Sequence, residues 1–499
     1  MDFFSHFLHG LSVASTGPML LATFLGVLLG LAIGVLPAMG PPAALAILLP
    51  IVVKFDPAVA VAGLAGIYYG AMYGGAVTSI LLGIPGESAS MMTTLDGYPM
   101  AKRGEAGRAL GIATFASFAG GFVAIFLFTA VAAPFAEFAL RFGPVEMTAL
   151  MIMTLTFSTS FGGGERSKGF MALGLGLWLG TVGLDLVSGS PRFSFGTFEL
   201  LEGFEFTVIA IGMYGVGEIL SSVNDSTPKV ARARYSIRAL LPRPSDALKT
   251  WKALSVGSIV GFVVGILPGA GATAATIFSY SISKKVSKEP ESFGHGAPEG
   301  IASPEAANNS ASYAAMIPLF TLGIPGSGTT AIMLGGLLML GLQPGPLLFQ
   351  EHPDFVWPVI GTFYTGNLML VFLTIVLTPV LASLVFIRPA YLFPVVLGIV
   401  LYGVFSIKYS FFDVAMAIAF GVLGYLFRSF NYPSVPVLLG LVLGPILEQN
   451  VRRSLIMSDG DVSIFASSSI SVIFLLLSLG LLLLPLLRRV KTRFVPRLA

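Results

Sequence analysis

The chain has 499 residues, 55% of them hydrophobic and only 11% charged, with 28 Lys and Arg against 25 Asp and Glu for a net charge of +3. A soluble domain carries about 25% charged residues, so this chain lacks the charge to cover a water-facing surface. It has no cysteine, which rules out disulfides and thiolate metal sites. The apolar runs reach or exceed the ~20 residues of a spanning helix, and most lack the strict alternation of a membrane β-barrel. The fold class expected is all-α and polytopic, with about twelve transmembrane helices or their half-span equivalents. The four histidines, His6, His9, His295 and His352, share no metal-ligand spacing, and no cofactor is expected.

In chain order, residues 1–17 begin without a basic leader region. Phe3, Phe4, Phe7, Leu8 and Leu11 recur at three- and four-residue spacing, which predicts a short amphipathic helix at the membrane interface. From Pro18 to Val53 there is no charged residue, and Pro37-Ala38-Met39-Gly40-Pro41-Pro42 cuts that run in its middle. A helix to about Leu36, a break and a second apolar segment to Val53 follow from this. The next span starts near Pro57 and runs into Leu82-Gly83-Ile84-Pro85-Gly86-Glu87-Ser88. Proline removes a backbone donor and clashes with the preceding helical turn, and glycine accepts angles other residues avoid, so the helix must break there.

A polar stretch from Glu87 to Arg108 comes next, then spans near 109–133, 145–161, 169–188 and 206–222, joined by short polar connections such as Gly164 to Lys168. Residues 223–252 hold Lys229, Arg232, Arg234, Arg238, Arg243, Lys249 and Lys252 against Asp225 and Asp246. A short loop this basic is expected in the cytoplasm, as is the tail with Arg488, Arg489, Lys491, Arg493 and Arg497. A basic stripe also suits nucleic acid, but this one lies between spans, and no nucleic-acid partner is expected. No Lys or Arg precedes Lys54, so the N-terminus is expected outside.

The second half repeats the first. Gly26, Gly30, Gly34, Leu36-Pro37 and Gly40 recur as Gly257, Gly261, Gly265, Leu267-Pro268 and Gly271, an offset of 231. Gly83-Ile-Pro-Gly86 recurs as Gly323-Ile-Pro-Gly326, an offset of 240, the longer polar segment Lys284 to Ser310 absorbing the difference. The division expected is an interfacial helix 1–17, a first repeat 18–222, a basic linker 223–252, a second repeat 253–450, and a C-terminal helix with basic tail 451–499. An outward start and a cytoplasmic linker imply an odd number of spans in the first repeat, hence repeats inverted across the membrane. Later spans are expected near 329–343, 356–387 (one tilted helix or two short ones), 391–408, 411–428, 433–447 and 469–487.

Each of the four breaks can begin a helix whose first N–H groups lack partners. Such an end carries partial positive charge and binds carboxylates, while carbonyls freed before the break can coordinate a cation. One break alone reads as a kink. Two repeated pairs read as the lining of one site. The residues expected to contact a small carboxylate are Gly83, Pro85, Gly86, Ser88, Gly269, Gly271, Thr273, Gly326, Ser327, Gly328, Thr329 and Thr330. With almost no Lys or Arg in the apolar runs, helix ends and hydroxyls must do much of the recognition, with Lys102, Arg103 and Arg108 able to reach in from a loop. Asn308, Asn309 and Ser310, together with Gly40, are the candidates for a coupling cation; the neutral amides avoid a buried charge, although the same cluster also reads as a polar loop with a helix cap. Asp185, Glu146, Glu202 and Glu218 are placed near helix ends, without identifiable partners. An intramembrane hydrolase built on Ser327 would need a base, and no histidine lies in an apolar run. A channel is the remaining alternative.

Taken together, Gly66-Ile-Tyr-Tyr-Gly-Ala-Met-Tyr-Gly-Gly75, Gly83-Ile-Pro-Gly-Glu-Ser-Ala89, Leu95-Asp-Gly-Tyr-Pro-Met-Ala101, Gly265-Ile-Leu-Pro-Gly-Ala-Gly271, Gly296-Ala-Pro-Glu-Gly300, Pro304-Glu-Ala-Ala-Asn-Asn309 and Gly341-Leu-Gln-Pro-Gly-Pro346 make residues 18–450 resemble the large membrane subunit of the tripartite tricarboxylate transporters. One departure is Ala38, where that family usually has glycine after the proline; the second copy keeps it as Gly269. The resemblance implies a secondary transporter of the bacterial inner membrane that imports small carboxylates. Its implied partners are a small four-helix membrane subunit and a periplasmic solute-binding protein, and its coupling ion is Na+ or H+. The absence of a Gly-x4-Gly-Lys-Ser/Thr phosphate loop agrees with transport not driven by ATP.

Overall fold

Glycine ridges decide how the helices pair. A computed structural model describes residues 3–36, 39–161, 165–185, 188–222, 240–241, 243–384 and 389–494. Pro37, Ala38, Gly164, Lys229, Arg232, Arg234, Arg238 and Arg497 lie outside the described residues. The first half contains α1 (Phe3–Ala14), α2 (Gly17–Gly34), α3 (Pro41–Val52), α4 (Pro57–Leu82), α5 (Met91–Lys102), α6 (Ala106–Ala139), α7 (Pro144–Phe161) and α8 (Arg166–Leu179). Then α9 (Phe206–Ala210) passes through a π-helical stretch, Ile211–Val216, into α10 (Gly217–Ser222). The second half contains α11 (Pro244–Ile266), α12 (Gly271–Val286), α13 (Pro298–Ala314), α14 (Met316–Leu322), α15 (Gly328–Met339), α16 (Pro353–Leu384), α17 (Pro389–Lys408), α18 (Phe411–Ser429), α19 (Val435–Met457) and α20 (Ser469–Phe494). Among the described residues six helices are long and apolar enough to cross a membrane, and shorter apolar helices accompany them. The fold is an all-α polytopic membrane protein.

Side chains as small as hydrogen let α2 and α4 touch backbone to backbone, the way helices associate in lipid, where packing replaces the hydrophobic effect. A Cβ added at Gly26, Gly30 or Gly34 would meet the main chain of Gly63, Ile67 or Ala71. In the second half a Cβ at Gly257, Gly261 or Gly265 would meet Ser303, Ala307 or Ala311. These contacts are the first set displaced by the two sequence offsets, 231 on one helix and 240 on the other. The repeat is therefore a repeat of packing as well as of sequence. The helices α4 and α13 run in opposite directions: along α6, Thr114 bonds Tyr73 at 2.7 Å and Ser117 bonds Glu305 at 3.1 Å, while Gly121 abuts Tyr313, whose ring centroid lies 4.2 Å from that of Tyr69.

Four elements differ from expectation. The stretch Glu87–Arg108 is mostly helix, and α5 packs on α4 with Gly97 against Ile80 and the Tyr98 ring against Gly83. Its Asp96 is buried and accepts backbone N–H groups from Gly294, Gly296 and Ala297 at 2.7–2.9 Å, plus the Tyr280 hydroxyl at 2.8 Å, so its charge is spent on structure. The polar segment before Ser310 contains α13, which is buried along almost its whole length. Its low hydropathy reflects contact with protein, where hydroxyls and amides find partners. The span expected to reach residue 188 ends at Leu179 and gives way to a two-residue antiparallel ladder, Gly183–Leu184 with Pro191–Arg192. The last third of the linker 223–252 is the first turns of α11, opened by Pro244 at a position that needs no N–H. The run 356–387 is the single helix α16 as far as Leu384. Helix α1 is held against α16, with Gly10 on the Trp357 backbone and His6 stacked on the Trp357 ring.

Candidate functional site: four chain breaks around one cavity

Both Gly-Ile-Pro-Gly segments fold alike. Helix α4 ends at Gly83 in the left-handed region (φ 71°), and α14 ends at Gly323 in the same region (φ 68°), where glycine has no Cβ to clash. The chain then turns back in extended form. It reaches Gly86 beside Gly75 and Gly326 beside Ala315, in each case the residue eleven positions earlier. The next residues, Glu87 (φ −149°, ψ 169°) and Ser327 (φ −158°, ψ 171°), share one backbone conformation and open the following helical turns. Each break is thus a re-entrant dip that starts a new helix inside the protein. At the second, Ser327 and Thr330 close a capping box: Thr330 N donates to Ser327 Oγ at 3.2 Å and Ser327 N to Thr330 Oγ1 at 2.8 Å.

The Leu-Pro breaks lean on these dips. Gly40 sits against the Glu87 side chain and Gly271 faces Ser327, again equivalent pairs. Gly269, at φ 83°, donates its N–H to the Gly326 carbonyl at 3.0 Å. Across the two halves, Ser88 Oγ and Thr273 Oγ1 bond at 2.8 Å. Asn308 reaches over from α13 to donate to Glu87 Oε1 at 3.4 Å, and the Tyr68 hydroxyl on α4 faces Ser312 and Ser327 in return. Asn308 and Tyr68 are equivalent by the 240 offset, as are Glu87 and Ser327.

These segments enclose a cavity of about 260 Å³. Of the residues singled out in the sequence, Gly40, Gly86, Ser88, Gly269, Gly271, Thr273, Ser327, Gly328 and Thr329 line it. Gly83, Pro85, Gly326 and Thr330 stand outside its wall and shape the breaks. Asn308 lies behind Glu87; Asn309 and Ser310 are engaged elsewhere, donating to the carbonyls of Glu305 at 3.1 Å and Ser258 at 2.7 Å. The helices α12 and α15 and the turn before α5 begin on this wall with free first N–H groups, while α3 begins there with Pro41 and Pro42, which have none.

The wall also carries residues that sequence reasoning missed. Glu218, 1% exposed, forms an ion pair with Arg428 there, beside Tyr68 and Tyr214. Glu218 therefore has a partner, contrary to expectation, 210 residues away. Arg428 is the lone charge between Asp413 and Glu448, a placement that reads equally as a membrane-interface anchor. Asp185 likewise pairs with Arg192 and Arg452, and Glu202 with Lys408. The basic residues able to reach in from a loop do not: Arg108 binds Asp246 and Glu105, Arg103 donates to the carbonyls of His295 and Gly296, and Lys102 caps the Tyr98 ring.

Residues 20–439 match the sequence profile of the tripartite tricarboxylate transporter TctA family. The chain belongs to the TctA family. It is a component of a tripartite tricarboxylate transporter. One relative, an uncharacterized 52.8 kDa protein in the TAR-I ttuC' 3' region of Agrobacterium vitis, is 40% identical over 493 residues, covering 99% of this chain and 98% of the relative. An uncharacterized protein in the TAR-II ttuC' 3' region of the same organism is 39% identical over 233 residues, 47% of this chain and 96% of the relative. No solved structure matches the chain. The TctA match spans all four breaks and Arg428, and stops just after the start of α19.

Proposed function

We propose that this TctA chain is the membrane carrier that imports a small carboxylate across the bacterial inner membrane by alternating access, with a Na+ or H+ gradient as the driving force. The observation that carries the reading is the convergence of four chain breaks, two from each repeat, on one cavity. Helix N-termini gathered this way suit an anion without an excess of buried positive charge. Arg428 adds a guanidinium whose planar fork fits a carboxylate bidentately, and Glu218 balances it while the cavity has no anion. The antiparallel course of α4 and α13 supports repeats inverted across the bilayer, the arrangement in which each half opens in turn around a fixed site. A periplasmic solute-binding protein delivers the substrate in this scheme, and a small four-helix subunit completes the membrane part. The carboxylate class covers tricarboxylates, dicarboxylates and aromatic acids.

The test is uptake of radiolabelled carboxylates into proteoliposomes containing the full chain with its neighbouring subunits, with and without an ion gradient. Saturable, gradient-dependent accumulation is expected. Flux that ignores the gradient and far exceeds carrier rates would instead support a channel.

A further inference from the structure

One acid on the cavity wall, the half-buried Glu87, has no structural explanation. Glu305 is served by Thr93 Oγ1 at 2.5 Å and Ser117 Oγ at 3.1 Å, and Asp96 by three backbone N–H groups and a tyrosine. Glu218 has Arg428. Glu87 has one long contact from Asn308, and among the described residues no Lys, Arg or His pairs with it. A half-buried carboxylate without a counter-charge is costly.

Two side-chain oxygens on residues next to it lack partners. Asn308 is wholly buried; its Nδ2 touches Glu87, and its Oδ1 has no hydrogen-bond partner. Ser90 is also wholly buried, and its Oγ has none. Glu87 and Ser90 meet over Gly75, where an added Cβ would stand 2.8 Å from Ser90 Oγ and 3.3 Å from Glu87 Cγ. In the second repeat the equivalent of Gly75 is Ala315, and the equivalent of Glu87 is Ser327. The half that carries the acid is the half that leaves the space.

We propose that Glu87, Ser90 and Asn308 form a sodium site beside the carboxylate cavity. One carboxylate balances one monovalent ion, and oxygen ligands suit a hard cation. A proton on Glu87 would satisfy one of the two orphan oxygens and leave the other. Since Glu87 and Ser90 belong to the first repeat and Asn308 to the second, the ion ties one repeat's break to the other repeat's helix. It also places positive charge next to the cavity, which lowers the cost of bringing in an anion. The proposal rests on the carrier reading for its purpose, and its chemistry can be tested apart from transport.

The experiment is 22Na+ binding to the purified full chain in detergent, read by scintillation proximity, with K+ keeping ionic strength constant. Saturable binding is expected, with apparent affinity falling at least about tenfold in Glu87→Gln and Asn308→Ala, as for loss of a charged or well-placed ligand. Gly75→Ala, which fills the space, should weaken 22Na+ binding similarly. Melting in K+ identifies any variant that fails to fold, and the other two then decide. No saturable 22Na+ binding to the wild type, or wild-type affinity in the folded variants, would overturn the site; uptake driven by a pH gradient alone would then assign coupling to protons. Saturable binding lost in the variants, in a chain that transports no carboxylate, would leave the ion site standing and remove the function proposed above.

Discussion

The two Gly-Ile-Pro-Gly breaks share a backbone and differ in what they present. After Gly86 come Glu87, Ser88 and Ala89; after Gly326 come Ser327, Gly328 and Thr329. The Leu-Pro partner of the first break starts its helix with Pro41 and Pro42, which have no N–H to offer, whereas the second starts with Gly271 and Ala272, which do. The first pair is thus acidic and poor in donors, and the second is neutral and rich in them. A duplicated scaffold has been divided into a side that suits a cation and a side that suits an anion. Convergence of the breaks makes the cavity; their inequality gives it polarity.

This division can be broken most severely at the charge pair. Arg428→Ala should abolish carboxylate uptake and lower stability by about 2–3 kcal/mol, because Glu218 is left buried without its cation, somewhat below the usual cost since the guanidinium is partly exposed. Glu218→Gln should cost less stability; proteoliposome uptake and thermal melting in detergent check both. Next in size is the scaffold itself: Gly34→Leu and Gly265→Leu should destabilise by similar amounts, about 1–3 kcal/mol each, since both force a side chain into the partner helix backbone. Unequal melting shifts would mean that the two halves do not share one packing.

Ser327→Glu copies the first break into the second. Uptake should fall by about an order of magnitude or more as a second carboxylate meets the substrate, while the backbone already accommodates Glu in this conformation. Smallest is Tyr68→Phe, which removes only a hydroxyl facing Ser312 and Ser327; about 1 kcal/mol, or a few-fold weaker uptake, is expected. Its equivalent, Asn308→Ala, should affect sodium binding instead, and the pair of measurements separates the two sides.

Much of this was legible in the sequence because glycine and proline act locally. Gly83 and Gly323 end helices where a left-handed residue is needed, and the boundaries of α3 and α4 follow from Pro41 and Pro57. The spacing of Gly26, Gly30 and Gly34 and its recurrence marked the repeat, while their place on the packing ridge against α4 appears only in the structure. Polar helices were not legible. Helix α13 is buried among other helices and needs no apolar face toward lipid, and α5 packs a largely polar face on its neighbours, so hydropathy reads both as loops. The Glu218–Arg428 pair joins residues 210 positions apart, and no local pattern reports such a contact. The asymmetry between Glu87 and Ser327 stood in the sequence, but its meaning depended on Gly75, Ser90 and Asn308 coming together around the acid.

The absence of native cysteine makes the central claim directly measurable. In a Thr329→Cys variant, with the only thiol on the wall at the start of α15, the rate of modification by a small methanethiosulfonate should fall saturably as the transported carboxylate is added, with half-protection near the concentration that half-saturates uptake. A modification rate unchanged at concentrations that saturate uptake would contradict the placement of the carboxylate among these four breaks.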